Sequence, residues 1–152
     1  MPTATRSRAA PAFKQPYTTV DVVIFTVRDE ALQVLLVQRP SDAQEPFPGR
    51  WALPGGFVNV DVDKTLEDCA RRKLKDKTAL VSPYLEQLGS WGGLARDPRG
   101  WSATHVYFAL IAGADLALAK GANAADVGWR RVDDVLQRPR LAFDHATILQ
   151  AA

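Results

Sequence analysis

Residues 49–80, "GRWALPGGFVNVDVDKTLEDCARRKLKDKTAL", carry the information that decides the fold. "WALPGGFV" reads as a short strand interrupted by a Pro-Gly-Gly turn. Thr65, with Asp68 three residues later, resembles a capping box and marks the start of a helix. The body "LEDCARRKLKDK" spaces Leu66, Cys69, Ala70 and Leu74 as one apolar stripe, with Glu67, Asp68, Arg71 and Lys75 on the solvated face. At about 100° per residue, Lys73 and Lys77 fall within roughly 20° of Leu66, inside that stripe, and Asp76 lies at its edge. Two readings follow: the lysine stems cover core surface while their ammonium groups reach out to water or pair with carboxylates, or the ammonium groups face a cleft.

Working outward, "YTTVDVVIFTV" and "LQVLLVQR" are β-branched runs on either side of the turn-like "RDEA" and predict a hairpin. The stretch 40–50, with three prolines and a glycine, is a loop. "YLEQLGSW" and "SATHVYFALIAG" are strand candidates around the Gly- and charge-rich loop "GGLARDPRG". "GWRRVDDVLQ" reads as a strand running into a short helix, and "LAFDHATILQAA" as a final helix of about three turns. The class is α/β (α+β). A chain of 152 residues, 47% hydrophobic and 24% charged, suits one domain, taken as 17–152, with the Pro-containing, acid-free stretch 1–16 as a flexible tail rather than a secretory signal. The apolar runs fall short of the roughly 20 residues that a bilayer span needs. One cysteine, Cys69, excludes an internal disulfide and suits a reducing cytoplasm.

"WALPGGFV" followed by such a helix resembles the Nudix superfamily of diphosphohydrolases, whose box reads Gly-x5-Glu-x7-Arg-Glu-U-x-Glu-Glu-x-Gly-U, with U a bulky aliphatic residue. Gly56 opens the box, Arg72 takes the Arg place, and Leu74 and Leu80 take the aliphatic places. The loop after Gly56 is two residues longer, the first Glu place falls on Lys64, the other Glu places hold Lys73, Asp76 and Lys77, and the last Gly is Ala79. "DVVIFTV", "LQVLLVQRP", "GRWALPGGFV", "YLEQLGSWG", "RDPRGW" and "LAFDHA" extend the resemblance to the ADP-ribose-handling branch, including Nudix-related transcriptional regulators. The fold so implied is a Nudix-type α-β-α sandwich with a mixed, curved sheet.

In that family the box glutamates hold Mg²⁺ or Mn²⁺, which neutralises phosphate oxygens and orients the attacking water. Here four carboxylates become one carboxylate and three ammonium groups. An ammonium about 5 Å from a divalent cation is repelled by on the order of 6 kcal/mol at an effective dielectric of 20. The expectation is therefore a domain that binds a nucleoside diphosphate ligand of ADP-ribose type, with metal-dependent hydrolysis weak or absent and no cofactor. Lys73 and Lys77 take over the metal's neutralising role. The alternatives are a working hydrolase with Mg²⁺ or Mn²⁺ on altered ligands, drawn from Asp76, Asp61, Asp63 and Glu86, and an assembly module with an inert cleft.

Candidate ligand contacts are Arg39, Arg50, Gly55, Gly56, Phe57, Arg72, Lys73, Lys77 and Arg99. Trp91, Trp101 and Phe57 are aromatic rings suited to stacking a base. His145, beside Asp144, is a candidate for a carboxylate-oriented histidine. The regulatory relatives carry a DNA-binding winged helix after this domain, and the chain ends before one. With a net charge of +2, no nucleic-acid partner and no membrane are expected, and the resemblance implies a possible homodimer.

Overall fold

The computed structural model describes residues 13–81, 84–112, 125–138 and 140–152; the expected tail lies almost entirely outside them. The elements run β1 (Tyr17–Arg28), β2 (Ala31–Gln38), β3 (Trp51–Ala52), β4 (Gly55–Phe57), α1 (Leu66–Thr78), β5 (Glu86–Gly93), β6 (Ser102–Leu110), β7 (Asp126–Arg131), α2 (Val132–Gln137) and α3 (His145–Ala151). No helix among these residues is long and apolar enough to cross a membrane.

The hairpin forms as its β-branched runs predict. Asp29 and Glu30 both take positive φ, 51° and 58°, which gives a two-residue turn the twist that antiparallel strands need. Pairing runs from Arg28↔Ala31 only as far as Phe25↔Val34. Beyond that point the two strands part, and the segment from Trp51 to Phe57 fills the gap. Its first half, β3, pairs with Val37 and Gln38 of β2, and its second half, β4, pairs with Thr19, Val20 and Asp21 of β1. The Pro-Gly-Gly turn is thus the crossing between two diverging strands. On its other edge β1 runs parallel to β6 from Tyr17↔Ser102 to Phe25↔Leu110, β5 continues beyond β6, and β7 pairs with the outer edge of β2. The result is a seven-stranded mixed sheet.

Both faces of this sheet are covered, so β1 is buried from Thr19 to Thr26 without alternation. On one face Val20, Val22, Ile24 and Leu35 pack with Cys69, Ala70 and Leu74 of α1. On the other, Val23, Phe25, Val34 and Leu36 pack with Ile148 and Leu149 of α3, and with Val132, Val135 and Leu136 from α2. This is the expected α-β-α sandwich. Helix α3 spans seven residues, shorter than the expected three turns, because Phe143 adopts φ 52° and cannot belong to a right-handed helix.

Helix α1 begins at the expected capping box: the Asp68 amide donates to Thr65 Oγ1 and the Thr65 amide donates to Asp68 Oδ2, each at 3.1 Å. It ends at Ala79, φ 60°, whose amide donates to the Lys75 carbonyl. That left-handed cap is the place where the family pattern has glycine. The lengthened loop before α1 is fastened by Asp63, which accepts from Arg72 Nε at 2.7 Å and Nη2 at 2.6 Å and from the Asn59 amide at 2.8 Å. The Arg72 guanidinium holds the Asp63 carboxyl far below the usual range.

Two outcomes are expected. Ala79→Gly relieves the left-handed cap and raises the melting temperature, by roughly 0.5–1 kcal/mol of stability. Asp63→Asn costs on the order of 2 kcal/mol at neutral pH. Because the Asp63 pKa is depressed, its contribution is complete above the unfolded value near 3.8 and fades as pH falls below it. The denaturant midpoints of the two proteins therefore converge in strong acid.

Candidate functional site

The parting of β1 and β2 opens a cleft of about 280 Å³. Its floor is Thr19 and Asp21 from β1 with Leu53, Gly55, Gly56 and Phe57 from the crossing segment. One wall is Lys73 and Lys77 of α1, another is Arg39 and Glu45 beyond β2, and a third is Arg96, Asp97 and Arg99 from the loop before β6. Phe143 and His145 close it from the segment leading into α3.

The wall of α1 shows what the helical wheel means. Leu74 and Cys69 are fully buried against the sheet, while the lysines one turn apart on the same stripe overhang its edge at the place where β1 and β2 diverge. Lys73 crosses Gly56, where a Cβ would lie 2.9 Å from Nζ, and Gly56 itself has φ 151°. Glycine is needed there on both counts. Neither lysine has a hydrogen bond or ion pair among the described residues. Burial, aided by the neighbouring charges of Lys73 and Arg39, pulls the Lys77 ammonium down to about 8.

The arginines, by contrast, are tied in place. Arg39 donates through Nε to the Pro46 carbonyl at 2.7 Å and pairs with Glu45 at 3.3 Å. Arg99 is gripped by the buried Asp97, which accepts from its backbone amide, Nε and Nη2 at 2.9–3.0 Å. Burial works to raise the Asp97 carboxyl, and Arg99 with Arg96 outweighs it, leaving the pKa lowered. So held, Arg99 lies 4.6 Å from the Phe57 ring centroid and 6.0 Å from that of Phe143, and Arg39 lies 5.0 Å from Phe143. Phe143 thus sits between two cleft arginines in a left-handed conformation that costs a non-glycine residue on the order of 1 kcal/mol or more.

Beneath these lies Asp21, 6% exposed in the middle of β1. It accepts from Thr104 Oγ1 at 2.6 Å, and His145 Nε2 faces it at 3.4 Å. His145 Nδ1 accepts the Leu53 amide at 3.0 Å, which fixes the ring proton on Nε2, toward Asp21. Burial pushes the Asp21 carboxyl upward, and His145, Thr104 and Arg96 reverse the shift, so that it stays below its ordinary value. The histidine's carboxylate is therefore Asp21 and not its neighbour Asp144. Asp144 instead holds Arg96 in a fork, Nε to Oδ2 at 3.0 Å and Nη2 to Oδ1 at 2.9 Å.

Of the residues singled out in the sequence, Arg39, Gly55, Gly56, Phe57, Lys73, Lys77, Arg99 and His145 meet at this cleft. The others lie elsewhere. Arg50 is exposed and stacks on Phe47, with its guanidinium 5.6 Å from the ring. Arg72 turns to the opposite side of α1 to meet Asp63, and Asp76, the one acid kept in the box, lies on that outer side 3.8 Å from Arg72. Lys64 and Asp61 are exposed in the long loop, and Glu86 sits on β5 with Tyr84. Trp91 packs under the sheet and Trp101 covers Gly92. Asp21, Glu45 and Phe143 were not foreseen. A lone aspartate inside "TTVDVVIF" was the signal available for Asp21, since a buried strand admits a carboxylate only with partners.

The carboxylates that face the cleft, Asp21, Glu45 and Asp97, are each already engaged. Among the described residues no three His, Cys, Asp or Glu side chains converge as a metal site. The donor set does not fit the divalent-metal centre that the family resemblance implies. The geometry suits a different task, which is to surround a compact polyanion with fixed arginines and two uncommitted ammonium groups.

Comparison with known proteins places this geometry. The ADPR responsive transcriptional repressor NtrR of Acinetobacter baylyi is 44% identical over 140 residues, covering 92% of this chain and 54% of its own, so the chain spans about half the length of that curated relative. The NUDIX domain of Shewanella oneidensis NrtR, solved as a cocrystal with ADP ribose, is 48% identical with a TM-score of 0.83, covering 92% of this chain and 88% of that one. Shewanella oneidensis NrtR has also been solved with a 27mer DNA, with 48% identity, a TM-score of 0.75 and coverage of 89% and 59%. The likeness to a transcriptional repressor and to a DNA complex overturns the expectation that nucleic acid is no partner. A net charge near zero averages over the whole surface, whereas DNA affinity depends on the few cations that meet phosphate. A family model described as the NUDIX domain matches residues 17–152, and the chain belongs to that family.

Proposed function

We propose that the chain is a ligand-sensing NUDIX domain that binds the diphosphate of an ADP-ribose-type molecule on Lys73 and Lys77 without a metal, and does not hydrolyse it at enzymatic rates. The observation that carries this reading is the pair of ammonium groups in the cleft, with no carboxylate closing them among the described residues. The likeness to an ADP-ribose cocrystal supports the ligand class. Two lysines and three arginines against three engaged carboxylates give the cleft the sign a diphosphate needs. A positioned nucleophile is what hydrolysis would further require, and the candidate acids Asp76, Asp61, Asp63 and Glu86 lie on the outer side of α1, in the loop before it and on β5, none of them lining the cleft. An inert assembly module has less support, because no ion pair closes either lysine among the described residues.

On this reading residues 17–152 form the domain and 1–16 a tail, and the chain is the sensing part of a cytoplasmic regulator that works on DNA. The likeness to a repressor and to a DNA complex supports the DNA partner. A homodimer, as the branch resemblance implies, accommodates that role.

Calorimetry with ADP-ribose in EDTA tests the proposal. The wild-type chain binds, and Lys73→Ala with Lys77→Ala weakens binding by at least about tenfold and flattens its salt dependence. The melting temperature is unchanged or raised, since neither lysine has a hydrogen bond or ion pair to lose among the described residues. Equal affinity for the double variant, or no binding by the wild type, would refute it.

A pH dependence follows from Lys77. Its ammonium sits near 8 in the empty cleft and is raised when a diphosphate arrives, while the diphosphate diester has no ionisation of its own in that range. Affinity is thus fully present below about pH 8 and declines as pH rises through the higher value of the complex. Titrations at pH 8.5 in buffers of different ionisation enthalpy should show proton uptake on binding, and Lys77→Met should abolish it.

A further inference from the structure

Three arginines line the cleft, and their anchors differ. Asp97 belongs to the same loop as Arg99, and Glu45 to the loop that follows Arg39. Arg96 alone is anchored from far along the chain, 48 residues away, by Asp144 at the start of the last helix, α3. Its guanidinium is almost completely buried, and the other nitrogen, Nη1, donates to Ser102 Oγ at 2.9 Å.

The residues on either side of Asp144 are bound to the cleft as well. Phe143 lies under Arg39 and Arg99, and His145 reaches Asp21 and the Leu53 amide. Three consecutive side chains leading into α3 therefore hold three different parts of the ligand cleft. We propose that an anionic group of the ligand and the carboxylate of Asp144 compete for the Arg96 guanidinium, so that filling the cleft loosens the attachment of α3.

The competition follows from charge. A guanidinium in a fork with one carboxylate has its paired donors committed, and a diphosphate brought into the same cleft offers two negative charges and four non-bridging oxygens against the one charge and two oxygens of Asp144. It also places a second anion close to Asp144 in a poorly solvated setting, which favours their separation. The ligand simultaneously draws Arg39 and Arg99 away from the ring of Phe143. That ring contact helps hold Phe143 at φ 52°, and its loss lets the backbone relax just ahead of α3. Because linkage is reciprocal, anything that loosens the Asp144 fork beforehand must tighten ligand binding by the same factor. This inference rests on the ligand reading above and adds to it a route by which the last helix senses the cleft.

The sign of the Asp144→Asn effect separates a relay from a merely structural ion pair. The neutral amide releases Arg96, so ADP-ribose should bind several-fold more tightly to Asp144→Asn than to the wild type, while Asp144→Glu, which keeps the charge, should stay nearer the wild type. Hydrogen exchange of the amides of α3 (145–151) should speed up in the wild type when ADP-ribose saturates it, approaching the rate in empty Asp144→Asn. Wild-type binding with an unchanged or weaker affinity for Asp144→Asn overturns the relay and leaves the ligand reading standing. Slower exchange in α3 of the loaded wild type does the same, and decides the matter even if the variant does not fold. No binding of ADP-ribose to the wild type overturns both.

Discussion

Burying the carboxylate of Asp21 is the constraint around which the cleft is assembled. A charge in the middle of a fully covered strand is tolerated only if several groups are brought to it. Thr104 comes from β6, His145 from the approach to α3, and Gly55 from the crossing segment, where any side chain would collide with the carboxylate. His145 in turn holds the Leu53 amide, so the crossing segment is fixed at its centre. One buried charge therefore sets the distance between β1, β6, the Pro-Gly-Gly turn and the last helix. The walls of the cleft follow from that distance.

The electrostatics above that floor divide into held and unheld charges. Every arginine of the cleft has an acidic partner and a further contact, a ring or a carbonyl for Arg39 and Arg99 and the Ser102 hydroxyl for Arg96, which places these groups in the empty cleft. The lysines have neither. Lys77 bears a desolvation cost, expressed in its lowered pKa, that the more distant charges of Asp21 and Glu45 offset only in part. A local arrangement that disfavours the empty state is of the kind found where a ligand is to be received. The same α1 that keeps its hydrophobic contacts, capping box and Arg72 clamp thereby presents two cations where the family pattern has acids.

Much of this was legible in the sequence, for identifiable reasons. Helix α1 was readable to its first residue because a capping box and a 3.6-residue period agree. The hairpin was readable because β-branched runs flank a short polar turn. The inward direction of Lys73 and Lys77 followed from the wheel alone. The parting of β1 and β2 was not legible, since it depends on where pairing stops between strands of uniform apolar character. Arg72, Asp76 and Arg50 match the family pattern or flank the cleft in sequence, yet Asp63 turns the first away, the second follows it, and Phe47 takes the third. Phe143, Glu45 and Asp144 carry no local signal, because their roles arise from contacts made across the fold. The nucleic-acid expectation failed for another reason: it was drawn from net charge, a quantity that does not see local arrangement.

The central claim is that two lysines stand in for a metal. The affinity for ADP-ribose measured side by side in EDTA and in millimolar Mg²⁺, with the cell contents then analysed for AMP and ribose phosphate, tests it most directly. Binding in EDTA that is equal to or tighter than binding in Mg²⁺, with intact ADP-ribose recovered from both, agrees with the claim. Binding that needs Mg²⁺, accompanied by release of AMP, would contradict it.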